Sequence, residues 1–154
     1  MAKYSHSIAG VALSTTADLF TVVTATSGAG SVVGLYELYL GGEAGSSAVA
    51  RVCLNRPTVA NTTASTTATL AKINPASATN TFNVITAWNA SGNATLATNH
   101  VLVPVFNAFA GIVRWVAPPD SSVIVGSQGA ASQLCCRSLS GTSTVSGHAL
   151  LEEY

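Results

Sequence analysis

An all-β fold, a single β-sandwich of the jelly-roll kind, is what this sequence predicts, on three observations. Short apolar runs recur along the chain, many of them β-branched, and each is bounded by Gly, Pro, Ser, Asn or Asp, as buried strands joined by tight connections are. Along Thr144–Glu152 the side chains alternate: Val145, Gly147, Ala149 and Leu151 share one face, and Thr144, Ser146, His148, Leu150 and Glu152 the other. No stretch carries the apolar period of a helix. About nine or ten short strands with polar turns and no significant helix fit a sandwich or barrel, and a long central connection favours the jelly roll.

In chain order, Ser7–Ser14 reads as the first strand and the following Ser-Thr-Thr-Ala-Asp as its turn. Leu19–Thr26 is a β-branched second strand, Ser27–Ser31 a loop, and Val32–Leu40 a third strand. In that third strand Leu35, Glu37 and Tyr39 alternate against Tyr36, Leu38 and Leu40 before Gly41 and Gly42 turn the chain. Ala48–Leu54 is the fourth strand, stopped by Asn55, Arg56 and Pro57. Thr58–Thr81 shifts to Thr, Ala, Ser and Asn and reads as a long loop with one short strand near Thr69–Ile73, the kind of segment that serves as an arm onto a neighbour. Phe82–Trp88 is a strand and Asn89–Thr95 a turn. Asn99–Val105 is another strand, in which Pro104 points to a sheet edge or a bulge. Gly111–Ala117, Val123–Val125, Leu134–Leu139 and Val145–Leu151 complete the set.

At 154 residues the chain is one domain, residues 1–154, long enough to bury a real core. Only 8% of residues are charged and the net charge is zero, against roughly 25% charged in an ordinary soluble domain. Hydrophobic residues reach 48% and the mean hydropathy is +0.43. A chain so poor in ions is weakly protected against association, which points to surface buried against other copies or other proteins. A neutral surface kept soluble by Ser and Thr hydroxyls is the alternative. The six basic residues, Lys3, Arg51, Arg56, Lys72, Arg114 and Arg137, are scattered and offer no nucleic-acid patch. No run approaches the roughly 20 apolar residues of a spanning helix, so no membrane partner is expected. The N-terminus lacks the continuous apolar region of a signal peptide.

Chemistry is thinly represented. Cys53, Cys135 and Cys136 lack metal-like spacing and read as small buried hydrophobes, with a Cys53 bridge to Cys135 or Cys136 left open. Cys135 and Cys136 are strand neighbours that point to opposite faces. His6, His100 and His148 lie far apart and read as solvated or hydrogen-bonded strand residues, so no metal site is expected. The glycines from Gly28 to Gly34 precede a β-branched segment, where a nucleotide-binding loop needs a helix. No pair among Asp18, Glu37, Glu43, Asp120, Glu152 and Glu153 has a spacing that suggests acid/base work. Three Asn-X-Ser/Thr tripeptides, at Asn61, Asn89 and Asn93, are expected by chance in so Asn- and Thr-rich a chain. The reading is therefore a non-enzyme without cofactor. Arg114 and Trp115 are adjacent, so one faces the core and the other the opposite side. Either Trp115 is a core anchor and Arg114 is paired locally, or one of them sits at a subunit contact. Phe106 and Phe109 are poised in the same way, and these four are the candidate interface residues.

The runs GIVRWVAPP and SLSGTSTVSGHALLEE, with the opening SHSIAGVALSTTADLFTVVTATSGAGSVVGLYELYLGGEA, resemble a group of small proteins encoded by tailed bacteriophages and their prophages, over most of the chain. TVSGHALLEE is also similar to the last strand of trimeric C1q/TNF-like jelly rolls, although this chain has His148 and Ala149 where that pattern has aromatics. Together these resemblances imply a virion β-protein: a trimeric decoration (cement) protein that is made in the host cytoplasm and binds the major capsid protein on the capsid surface. The alternative is a host-adhesion or carbohydrate-binding module of a tail fibre or spike, with Trp88 or Tyr36 stacking on sugars.

Overall fold

A computed structural model describes residues 1–24, 32–88, 94–126, 133–140 and 143–154, apart from the side chain of Trp88. The Ser27–Ser31 loop, the tripeptides at Asn89 and Asn93 and the indole of Trp88 fall outside the described residues. The chain is an all-β sandwich of two antiparallel sheets, with no helix among the described residues. Its strands are β1 (Ala2–Ala12), β2 (Asp18–Val23), β3 (Val33–Glu43), β4 (Val49–Asn55), β5 (Ala64–Thr67), β6 (Ala71–Lys72), β7 (Asn83–Trp88), β8 (Val105–Asn107), β9 (Phe109–Val116), β10 (Val123–Val125), β11 (Gln133–Ser140) and β12 (Thr144–Glu153). One sheet has the order β10-β3-β12-β1-β6, with β9 also paired to β3; the other runs β5-β7-β2-β11-β4-β8.

The core lies between the sheets and follows from alternation on each strand. From the first sheet, Tyr4 and Ile8 of β1, Leu35, Leu38 and Leu40 of β3, and Val145, Ala149 and Leu151 of β12 point inward. Phe20 and Val22 of β2, Val52 and Leu54 of β4, and Leu134 and Cys136 of β11 meet them from the second. Aromatic rings join the layers. Phe20 meets His6 edge-on at 5.5 Å between centroids, and Phe82 meets Tyr4 at 5.4 Å. His6 is thus a buried core residue, not the solvated or hydrogen-bonded strand histidine expected from the sequence, and burial pushes its pKa below the ordinary value of 6.5. A histidine held neutral in this way stabilises the fold above its unfolded pKa; that contribution is lost as the pH falls through the folded value. We expect the melting temperature to fall between pH 7 and pH 5, and His6→Leu to flatten that part of the curve.

Several expected boundaries shift for physical reasons. β1 begins at Ala2, because Tyr4, His6 and Ile8 already alternate with Lys3, Ser5 and Ser7. It pairs β12 on one side and β6 on the other. β3 runs through Gly41 and Gly42 instead of turning there. A Cβ on Gly42 would collide with the backbone of Ala108, so glycine permits a close approach at that position. The simple alternation of β3 also fails: Leu151 pairs Leu35 while Leu150 pairs Glu37, which leaves Tyr36 as the extra residue of a bulge. The bulge resets the phase, so Leu35, Leu38 and Leu40 share the core and Glu37 and Tyr39 face outward. β10 has the expected bounds, and β12 keeps its expected faces.

The short strand expected near Thr69–Ile73 is present as β6, but the rest of residues 58–81 is not one loop: it holds a second short strand, β5, and their connections. β5 extends the second sheet beside β7, and β6 extends the first beside β1. Part of this segment folds back over its own chain. Val59 bridges Thr95, and Asn61 is buried against Asp18 and Gln133 on the outer side of the second sheet. Its burial takes Asn61 out of reach of glycosylation. The added edge strands bring the count to twelve among the described residues, above the nine or ten expected. The three cysteines are buried and free, so the Cys53 bridge does not form.

Candidate interaction surface

Two features distinguish the surface from the core. The first is the contrast between the two lateral sides of the sandwich. On one side the sheets end in β5, whose Ala64–Thr67 are all exposed and hydroxyl-rich, and in β6, which carries Lys72. On the other side the second sheet ends in residues 101–107 and the first in β9 and β10.

Residues 101–107 run along β4. Leu54 N donates to Leu102 O at 2.9 Å, Val101 N to Leu54 O at 2.8 Å, and Val52 N to Pro104 O at 3.1 Å. The strand expected over Asn99–Val105 is reduced to one bridge at Leu102 followed by β8, and Pro104 lies on an edge, where its missing N–H costs nothing. Leu102, Pro104 and Phe106 turn inward, while Val101, Val103 and Val105 project outward beside the exposed Val49. A groove of about 320 Å³ where β4 meets β8 is lined by Ala48, Val49, Val105 and Phe106 together with Ser47 and Asn107. Around the corner, Phe109, Ile112 and Val116 of β9 are exposed, Ile112 by 63%.

The four candidate interface residues separate cleanly. Phe106 is 7% exposed and belongs to the core, whereas Phe109 is 53% exposed at the start of β9. Trp115 is partly buried against the core opposite Leu38, and Arg114, opposite Tyr39, faces outward. Sequence reasoning missed Val49, Val101, Val103, Val105 and Ile112. The available signal was an apolar run around Pro104, which combines a buried strand's composition with an edge strand's residue.

The second feature is an ionic cluster on the outer face of the first sheet. Arg114 grips Glu37 with two hydrogen bonds, Nε to Oε1 at 2.9 Å and Nη2 to Oε2 at 3.1 Å. His148 Nε2 lies 3.2 Å from the same Oε1, and its ring stacks on Tyr39 at 5.3 Å. The bonds from Arg114 hold the Glu37 carboxyl below its ordinary range; burial opposes them and His148 adds to them. Beside this cluster Lys3 pairs with Glu152 and sits 5.1 Å from the centre of the Tyr36 ring. The charges are largely compensated within the chain, which leaves the face polar yet nearly neutral.

A further polar cluster is sealed beneath residues 58–63 and 94–100. Arg137 Nε donates to Asp18 Oδ1 at 2.6 Å, and Thr21 Oγ1 and Asn61 Nδ2 donate to Asp18 Oδ2 at 2.8 and 2.9 Å. Arg137 Nη1 reaches Ala94 O at 3.0 Å. Cys135 lies within this cluster, and burial raises the thiol pKa of Cys53, Cys135 and Cys136, which disfavours their thiolate forms. The arrangement ties the covering segments to β2 and β11. Among the described residues no group of three or more His, Cys, Asp or Glu side chains is placed to hold a metal ion. Comparison with family models, with curated proteins and with solved structures finds no match for this chain.

Proposed function

We propose that this chain is a capsid decoration (cement) protein of a tailed bacteriophage, bound as a homotrimer to the major capsid protein on the outside of the shell. The observation that carries the reading is the apolar side formed by Val49, Val101, Val103, Val105, Phe109, Ile112 and Val116, exposed on a chain with only 8% charged residues. Such a surface is stabilised by burial against a neighbour. Shape fit and hydrogen bonds between nearly uncharged faces suit a shell that is assembled once and must stay closed. The strand order supports a jelly roll. With the short β10 and the inserted β5, β6 and β7 set aside, β1, β12, β3 and β9 form one sheet and β2, β11, β4 and β8 the other. Closed threefold symmetry matches the threefold positions of an icosahedral lattice. Reconstructions of particles assembled with and without the chain test the proposal. Extra density on the outer capsid surface is the expected difference, and identical shells would refute it.

A host-adhesion or carbohydrate-binding role on a tail fibre or spike is the second reading, and one observation favours it. A depression of about 430 Å³ is lined by Tyr36, Tyr154, Pro118, Asp120, Ser122 and Glu152, which combine aromatic faces with hydrogen-bonding groups suited to a sugar. Reproducible hits on a glycan array, lost in Tyr36→Ala, would support it over decoration.

A further inference from the structure

We infer that the side of the sandwich bounded by residues 101–107 and by β9 is where this chain meets a second copy of itself. The inference deepens the decoration reading by assigning the contact between copies, and it stands on three observations.

The first is an asymmetry of edges. Open strand edges offer unpaired backbone N–H and C=O groups to any passing strand, and monomeric proteins blunt them with charge, with very short strands or by covering them. β5 and β6 follow that rule: both are short and exposed, one rich in hydroxyls and the other carrying Lys72. Residues 101–107 share the shortness, with Pro104 and the three-residue β8, but both they and the eight-residue β9 expose large apolar side chains where β5 and β6 do not. Val101, Val103 and Val105 project from one edge, and Phe109, Ile112 and Val116 from the other. Among the described residues β9 is paired only to β3, and β8 only to β4.

Charge identifies the occupant. Arg114, the one ion within β9, is neutralised in place by the Glu37 carboxylate. Nothing on β9 therefore calls for a charged partner, and a nearly uncharged surface is the complement. This chain supplies one, with zero net charge and 8% ionised residues, so two copies approach without long-range repulsion. The third observation is the groove where β4 meets β8, whose apolar wall of Val49, Val105 and Phe106 lies open beside the valine stripe and can accept a side chain.

The test is sedimentation velocity on the purified full chain at micromolar concentration, with hydrogen–deuterium exchange followed on dilution. The wild type is expected to sediment as an oligomer, and the double variant Val103→Glu/Val105→Glu as a 15.5 kDa monomer. Thr66→Glu, on the polar edge, is expected to leave the oligomer intact. If the double variant fails to fold, exchange on the wild type still decides. Amides of residues 101–107 and 109–116 should exchange faster when the protein is diluted to monomer, while those of β5 and β6 stay unchanged. A monomeric wild type, an oligomer insensitive to both glutamates, or exchange changes confined to the β5–β6 side would each overturn the inference. Failure here is separable from failure of the decoration reading: a valine-dependent oligomer absent from virions sinks only the latter, and a monomer present in virions only the former.

Discussion

Asp18→Ala is expected to remove about 3–5 kcal/mol of folding stability, the scale found when one partner of a buried ion pair is deleted. Asp18 is the hub of the sealed polar cluster, with its side chain fully buried and that of Arg137 nearly so. Deleting the carboxylate leaves the Arg137 guanidinium buried without its counter-ion, and it removes the oxygen that Thr21 Oγ1 and Asn61 Nδ2 both donate to. The covering segment around Asn61 loses one of its anchors to β2 in the same step. For a domain whose whole stability is of the order of 5–15 kcal/mol, that loss is a large share. Urea denaturation monitored by circular dichroism measures it as a shift in midpoint. The double variant Asp18→Leu/Arg137→Met is expected to recover much of the loss, because a buried pair is often no more stabilising than apolar residues of similar volume. A single variant as stable as the wild type would show that the cluster is solvated and that residues 58–63 do not seal it.

Phe20→Ala is the second large effect, about 3–5 kcal/mol, as expected for deleting a buried aromatic side chain from a packed core. Phe20 has no exposed surface, and its ring spans the gap between the sheets to reach His6 of β1. Truncation removes that contact and leaves a cavity between layers held apart by their hydrogen-bonded ladders. Phe20→Leu keeps most of the volume and is expected to cost less. Thermal melting and urea midpoints for the pair distinguish a cavity effect from loss of one ring contact: equal destabilisation by Ala and Leu would contradict the packing described.

Much of this architecture is legible in the sequence where one strand face is buried and the other is wet. Thr144–Glu152 is the best case, since Val145, Ala149 and Leu151 do line the core. Legibility fails where a backbone irregularity or a neighbouring chain segment decides. The Tyr36 bulge inverts the phase of β3 halfway along, and no composition signal marks it. Gly41 and Gly42 look like a turn, but the strand continues through them and Gly42 admits the backbone of Ala108. In the opening strand, Tyr4 and His6 pass for polar residues although both are buried. Exposure on the candidate surface was half legible. Phe109 and Arg114 do face outward, but Phe106 turns into the core. The exposed valines were hidden because an all-apolar run reads as a central strand, and only Pro104 hinted otherwise.

Decoration of a capsid implies stoichiometry as well as location. Quantitative mass spectrometry of purified particles, with the major capsid protein as the internal standard, measures it most directly. A capsid role requires hundreds of copies of this chain per particle, in fixed ratio to the shell subunit. A handful of copies would move it to the tail, and its absence from the particle would contradict the account outright.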